Sequence, residues 1–219
     1  MSYSLKTTIL NPISKEKPKS AVILCHGYGG DGKDISLLAS YWRTYLPDTI
    51  FICPDAPEKC KVSPTGYQWF DLMDQTTDEI LAKSIVAEMK LNKLIDEVKE
   101  KNNITSEQIA LGGFSQGCMI SLQTGIKRQD KIQCILGYSG KIIDTKHLGN
   151  NINSKPKVIL MHGDKDQVVS INYLLEAKDF FKKNNYQIET KIFKDCEHRI
   201  PTEGSSLGLE FIKRNLYEL

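Results

Sequence analysis

Gly113-Phe114-Ser115-Gln116-Gly117 has the spacing G-x-S-x-G, with a strand-like run, Ile109–Gly112, before it and a helical pattern, Gln116–Lys127, after it. A strand that turns abruptly into a helix leaves no room for side chains on either flank of the turn, so glycines stand there. The turn lifts the serine oxygen above the sheet edge, and the helix N-terminus behind it favours developing negative charge. The bare spacing arises by chance in roughly one chain in fifteen of this length, so it counts only together with its strand and helix. A serine hydroxyl so placed attacks a carbonyl carbon when a histidine takes its proton and a carboxylate orients that histidine.

Where the nucleophile sits on such a turn, the chain order is serine, acid, histidine. His26 and His162 each precede a glycine at a strand end and read as turn histidines, while His147 sits in the loop Thr145–Ser154. His198, in Cys196-Glu197-His198, lies between the strand-like Ile188–Phe193 and the last helical pattern, where the base must be. The acid falls in Gly163-Asp164-Lys165-Asp166, after Val158–His162, and composition does not choose between Asp164 and Asp166. The run Leu24-Cys25-His26-Gly27-Tyr28-Gly29-Gly30 closes another strand, Ala21–Cys25. It makes the backbone N–H groups of Tyr28 and Gln116 the expected oxyanion donors.

That glycine-rich turn also reads G-x-G-x-x-G over Gly27, Gly29 and Gly32, with Asp55 beyond the next strand as a ribose-binding acid. The dinucleotide reading leaves Ser115, Asp166 and His198 unexplained, so the acyl-transfer reading is preferred. It requires no organic cofactor and no metal. The six cysteines form no CxxC pair and no Cys/His spacing suited to zinc.

Short β-rich runs alternate with longer helical patterns, the mark of an α/β fold with a mostly parallel central sheet flanked by helices on both faces. Strands are expected at Ala21–Cys25, Thr49–Cys53, Ile109–Gly112, Ile132–Tyr138, Val158–His162 and Ile188–Phe193, with Lys6–Leu10 as an additional edge. Helices are expected at about 33–45, 78–101, 116–127, 172–184 and 205–216. In the second, Thr76 and Glu79 have capping-box spacing, and Leu81, Ile85, Met89, Ile95 and Val98 mark an apolar face. The segment Pro54–Thr77 breaks the alternation. It carries three prolines and Tyr67, Trp69, Phe70, Leu72 and Met73, and a loop of that length inside a compact domain is usually functional.

The 219 residues suffice for one substantial core, read as a single domain over 1–219. Lys plus Arg (29) less Asp plus Glu (27) leaves +2, with the basic residues scattered, which argues against a nucleic-acid partner. No stretch approaches the ~18 apolar residues of a membrane helix. Met1–Asn11 does not read as a secretory signal, so a reduced, cytoplasmic protein is expected. Homodimerisation is left open.

Together, Leu24-Cys25-His26-Gly27, Gln68-Trp69-Phe70-Asp71, Gly112-Gly113-Phe114-Ser115-Gln116-Gly117 and His162-Gly163-Asp164-Lys165-Asp166, completed by His198, resemble the acyl-protein thioesterase and carboxylesterase (phospholipase/carboxylesterase) family from about Ala21 to the C-terminus. The resemblance implies the α/β-hydrolase fold and Asp166 as the acid. It implies a segment around Trp-Phe-Asp that borders the acyl site, making Tyr67, Trp69, Phe70 and Met73 pocket candidates. The implied substrate is a small-molecule ester or an acylated molecule: a carboxylic ester first, a thioester close behind, and long-chain acyl substrates, as for a lysophospholipase or acyl-protein thioesterase, as the alternative. Cys118 stands where the family commonly has glycine, and Tyr28 where many members have leucine; a tyrosine there narrows or polarises the acyl entrance. Cys60–Gln68 is closer to bacterial carboxylesterases than to eukaryotic depalmitoylating enzymes.

Overall fold

The computed structural model describes residues 2–73 and 76–217. In chain order the elements are β1 (Thr7–Leu10), β2 (Ser20–Cys25), α1 (Gly32–Trp42), β3 (Thr49–Pro54), β4 (Glu58–Lys59), β5 (Tyr67–Gln68), α2 (Thr77–Asn102), β6 (Ile109–Phe114), α3 (Gln116–Lys127), β7 (Cys134–Tyr138), α4 (Thr145–Gly149), β8 (Lys157–Gly163), α5 (Asn172–Lys183), β9 (Ile188–Phe193) and α6 (Thr202–Leu216). Seven strands form the main sheet in the order β1-β3-β2-β6-β7-β8-β9, all neighbours parallel except β1, which runs antiparallel to β3 at the edge.

Every residue of β2 and β3 is buried, as continuous apolar runs demand when helices cover both faces. Successive side chains point to opposite faces, so the strands divide their residues between two layers. Ala21, Ile23 and Cys25 pack with Leu91, Leu94, Ile95 and Val98 of α2 and Met119 and Ile120 of α3. Val22 and Leu24 pack with Ile35 and Trp42 of α1 and Phe211 and Ile212 of α6. Beneath β7 and β8, α5 joins α3 in a third cluster around Phe180 and Phe181. The six cysteines are all free and buried.

Three expectations need correcting. The capping box of α2 forms between Thr76 and Glu79, but its buried stripe is Ala87, Leu91, Leu94, Ile95 and Val98; Ile85 and Met89 face outward. The stretch after Thr145 is not wholly loop, since Asp144 caps the five-residue α4 through the His147 amide. The segment after Pro54 is not structureless either. Its start folds back as a hairpin, β4 pairing with β5 (Glu58 with Gln68, Lys59 with Tyr67). Residues 74 and 75 of that segment lie outside the described residues.

Candidate active site

β6 ends at Phe114 and α3 begins at Gln116, so Ser115 alone makes the turn, with φ 54° and ψ −117°. A non-glycine residue in this region stores roughly 1–3 kcal/mol of strain and persists only when its surroundings hold it. The Ser115 amide donates to Tyr138 O (2.8 Å), and its carbonyl accepts from Cys118 N (3.0 Å) and Met119 N (3.2 Å). The elbow can press against β2 only because residue 117 lacks a side chain: a Cβ there would lie 2.0 Å from Cys25 O.

His198 and Asp166 arrive on two neighbouring loops. β8 and β9 are adjacent parallel strands, so the loops after them leave the same sheet end. His198 Nδ1 donates to Asp166 Oδ2 at 2.7 Å. Oδ1 of the same carboxylate accepts from the amides of Val168 (3.0 Å) and Val169 (2.9 Å). Burial alone would raise the Asp166 pKa, but the hydrogen bonds from His198 and from these amides outweigh it and hold the carboxyl below its ordinary value. The phenyl ring of Phe114 packs on the His198 ring, with centroids 4.7 Å apart.

Asp164, the other candidate, is placed differently. It is exposed, and its Oδ1 accepts from Cys196 N at 3.3 Å, helping to anchor the loop that carries His198. The two turn histidines are bound as such. His26 Nδ1 donates to Gly27 O (2.7 Å) while its Nε2 accepts from Ala56 N (2.9 Å), which fixes a neutral tautomer. His162 Nε2 donates to Val169 O (2.8 Å) and lies 3.3 Å from Asp166 Oδ2. Burial pushes both pKa values down, so each ring serves as a neutral bracket.

The amides of Tyr28 and Gln116 donate to no acceptor within the described residues, which leaves both free for an oxyanion. The turn bearing Tyr28 is clamped from outside by the hairpin: Gly29 N donates to Tyr67 O (2.9 Å) and Tyr67 N to Gly30 O (2.8 Å). Gly66 makes this approach possible, since a Cβ there would sit 2.0 Å from Gly29 O. The Tyr28 hydroxyl tucks under the turn beside Cys60, and burial pushes the phenol up to about 12.

The side chain of Gln116 bolts the same region from inside. Its Oε1 accepts from Trp69 N (2.8 Å) and its Nε2 donates to Phe70 O (2.7 Å), both bonds fully buried. Trp69 Nε1 in turn donates to His26 O (3.1 Å). Trp69 and Phe70 have no exposed surface and belong to the core under β2, so their rings serve the frame of the site. Tyr67 is half-buried beneath Lys59, and Met73 is 47% exposed. None of these four lines the cavity of about 410 Å³ beside His198, which is walled by Tyr28, Ile35, Phe114, Arg199 and Ile200.

The dinucleotide reading fails at Asp55. Its Oδ1 accepts from Gly32 N (2.9 Å) and its Oδ2 from Lys6 Nζ (2.9 Å), leaving nothing aimed outward for a ribose. The sequence reading missed the Gln116 side chain, the Tyr67 backbone clamp and the His162 bracket. The first had a signal, a glutamine between the nucleophile and a glycine at the buried end of a helix; the other two depend on tertiary register.

The profile of the phospholipase/carboxylesterase family matches residues 8–216. Acyl-protein thioesterase 1 of Saccharomyces cerevisiae is 32% identical over 215 residues, covering 90% of this chain and 93% of that protein. Acyl-protein thioesterase 1 homolog 1 of Dictyostelium discoideum is 28% identical, covering 97% and 99%. The crystal structure of esterase PE8 superposes with a TM-score of 0.92 at 33% identity, over 97% of this chain and 99% of that one.

Proposed function

The chain belongs to the phospholipase/carboxylesterase family of α/β-hydrolases, and from that premise we propose that it hydrolyses carboxylic esters by acyl transfer through Ser115, His198 and Asp166. The observation that carries this reading is the 2.7 Å bond from His198 Nδ1 to Asp166 Oδ2, which sets the proton on Nδ1 and leaves Nε2 free to act as base.

His198 takes the proton of the Ser115 hydroxyl as Oγ bonds to the carbonyl carbon. The carbonyl oxygen becomes an anion held by the amides of Tyr28 and Gln116, each such donor contributing about 3–4 kcal/mol to the transition state. Protonated His198 then gives its proton to the departing alcohol, and water activated by the same ring releases the acid from Ser115. Asp166 stays ionised throughout, its two oxygens accepting from the valine amides and from His198.

A thioester is the second reading, favoured by relatives that bear the name acyl-protein thioesterase. One oxyanion hole serves both, and the two differ in the leaving atom. Six free, buried cysteines fit a reducing compartment, in line with a cytoplasmic enzyme. Among the described residues no helix is long and apolar enough to cross a membrane.

The test is hydrolysis of p-nitrophenyl esters from acetyl to palmitoyl by the wild type and by Ser115→Ala. Turnover that vanishes in the variant supports the reading, and the preferred length separates a short-chain esterase from a lipid-directed enzyme. Equal rates for the two proteins would remove Ser115 from the mechanism.

A further inference from the structure

The cavity beside His198 adjoins a second one. It shares Asp34, Ile35 and Ile200 with a groove of about 800 Å³ that runs outward between α1 and α6. Trp42 forms the floor of that groove, fixed by bonds from its Nε1 to Ser205 O and Oγ at 3.1 Å. Tyr41 and Tyr45 stand along one wall, 73% and 63% exposed, with Leu209 opposite. Large aromatic side chains so placed offer stacking area with little conformational entropy to lose.

The stereochemistry of acyl transfer decides which half of a substrate enters. The tetrahedral carbon carries Ser115 Oγ, an oxyanion directed at Tyr28 N and Gln116 N, the acyl group, and a leaving atom that must reach His198 Nε2 to receive its proton. The acyl group therefore points away from both the histidine and the oxyanion turn. The cavity is walled by His198 and by the oxyanion turn at once, so it faces the leaving atom. Resting on the ester-hydrolase reading above, we propose that the α1–α6 groove is a leaving-group subsite that takes an extended, predominantly apolar or aromatic alcohol or thiol. During the step, Oγ bonds to the carbonyl carbon, the bond from carbon to the leaving oxygen or sulfur breaks, and the proton passes from His198 Nε2 to that atom. The freed alcohol or thiol then departs along the groove.

The experiment holds the acyl half at acetyl and varies a series of primary alcohols of similar acidity: ethyl, octyl and 2-(1-naphthyl)ethyl acetates. For the wild type, kcat/KM is expected to rise along the series. In Tyr41→Ala/Tyr45→Ala the naphthylethyl-to-ethyl ratio is expected to fall by roughly 2- to 10-fold, the range that aromatic contacts carry. Met89→Ala, at an exposed site on α2, serves as control and should keep the wild-type ratio. Calorimetric titration of Ser115→Ala with 2-(1-naphthyl)ethyl acetate reads binding without turnover, and the added tyrosine substitutions should weaken it by the same factor. A flat alcohol series in an enzyme that hydrolyses ethyl acetate, or a ratio unmoved in the double variant, overturns the subsite alone. Failure to hydrolyse any ester would sink the hydrolase reading and the subsite with it.

Discussion

Asp166→Asn and Asp164→Asn change the same group two residues apart and should differ by roughly 3,000- to 10,000-fold in kcat. The Asp166 carboxylate receives Val168 N and Val169 N on one oxygen and His198 Nδ1 on the other. An asparagine has a single acceptor oxygen for these three donors. If that oxygen faces the valine amides, the new NH2 faces His198, which must turn its proton to Nε2 and can no longer accept one from Ser115. If the amide is reversed, two buried N–H groups meet a donor, at about 1–3 kcal/mol each. The first arrangement is therefore favoured, and kcat should drop by about 10⁴ with little loss of fold stability. Asp164→Asn keeps an oxygen for the 3.3 Å contact to Cys196 N and should stay within about threefold of wild type, because the hydrogen bond is long and its acceptor is retained. Steady-state hydrolysis of p-nitrophenyl acetate, corrected for spontaneous hydrolysis and paired with thermal melts, makes the comparison. Asp166→Asn activity within tenfold of wild type, or an equal loss in both variants, would refute the reasoning.

Gln116→Leu strips buried partners from Trp69 N and Phe70 O, costing about 2–4 kcal/mol. Differential scanning calorimetry should show Tm lowered by roughly 4–16 °C. Gly66→Ala drives a Cβ into Gly29 O and shifts the turn that carries Tyr28, so kcat should fall by roughly 10²–10³, as when one oxyanion donor is lost; an unchanged kcat would show that the hairpin does not hold the turn. Because the Asp166 carboxyl lies below its ordinary pKa when folded, its contribution to stability is complete above the unfolded-state value near 4 and is lost as pH falls through the lower folded value. In Asp166→Asn, denaturant midpoints measured between pH 2 and 6 should therefore decline less steeply toward acid than in wild type.

Much of this was legible in the chain. The continuous apolar strands announced a parallel sheet with both faces covered, and Lys6–Leu10, expected as an additional edge, contains β1, which lies at the sheet edge. Helix ends were harder. α6 starts at Thr202 because Pro201, whose missing N–H costs nothing at a helix start, stands just before it. α1 stops at Trp42, short of the apolar Tyr45 that extends its pattern. α4 was invisible to periodicity because five residues do not complete two turns. Spacing could not separate Asp164 from Asp166. The difference lies in where a tight turn between Gly163 and Val169 aims two side chains, and that depends on amide bonds that spacing does not reveal. The family resemblance made Trp69 and Phe70 pocket candidates, whereas both rings are fully buried in the core, for which aromatics are as well suited as for pockets.

The paired hydrogen bonds by which the hairpin grips the turn that carries Tyr28 are main chain to main chain, Gly29 and Gly30 meeting the backbone of Tyr67. Peptide groups are the same whatever side chains they carry, so the stretch 62–65 at the hairpin tip can be rewritten provided Gly66 is kept and Lys61 keeps its ion pair with the buried Asp71. The fold thereby separates an invariant mechanical coupling from an exchangeable surface on the same short segment. Grafting foreign tips between Lys61 and Gly66 is a direct way to alter what approaches the enzyme while leaving the turn that carries Tyr28 in place.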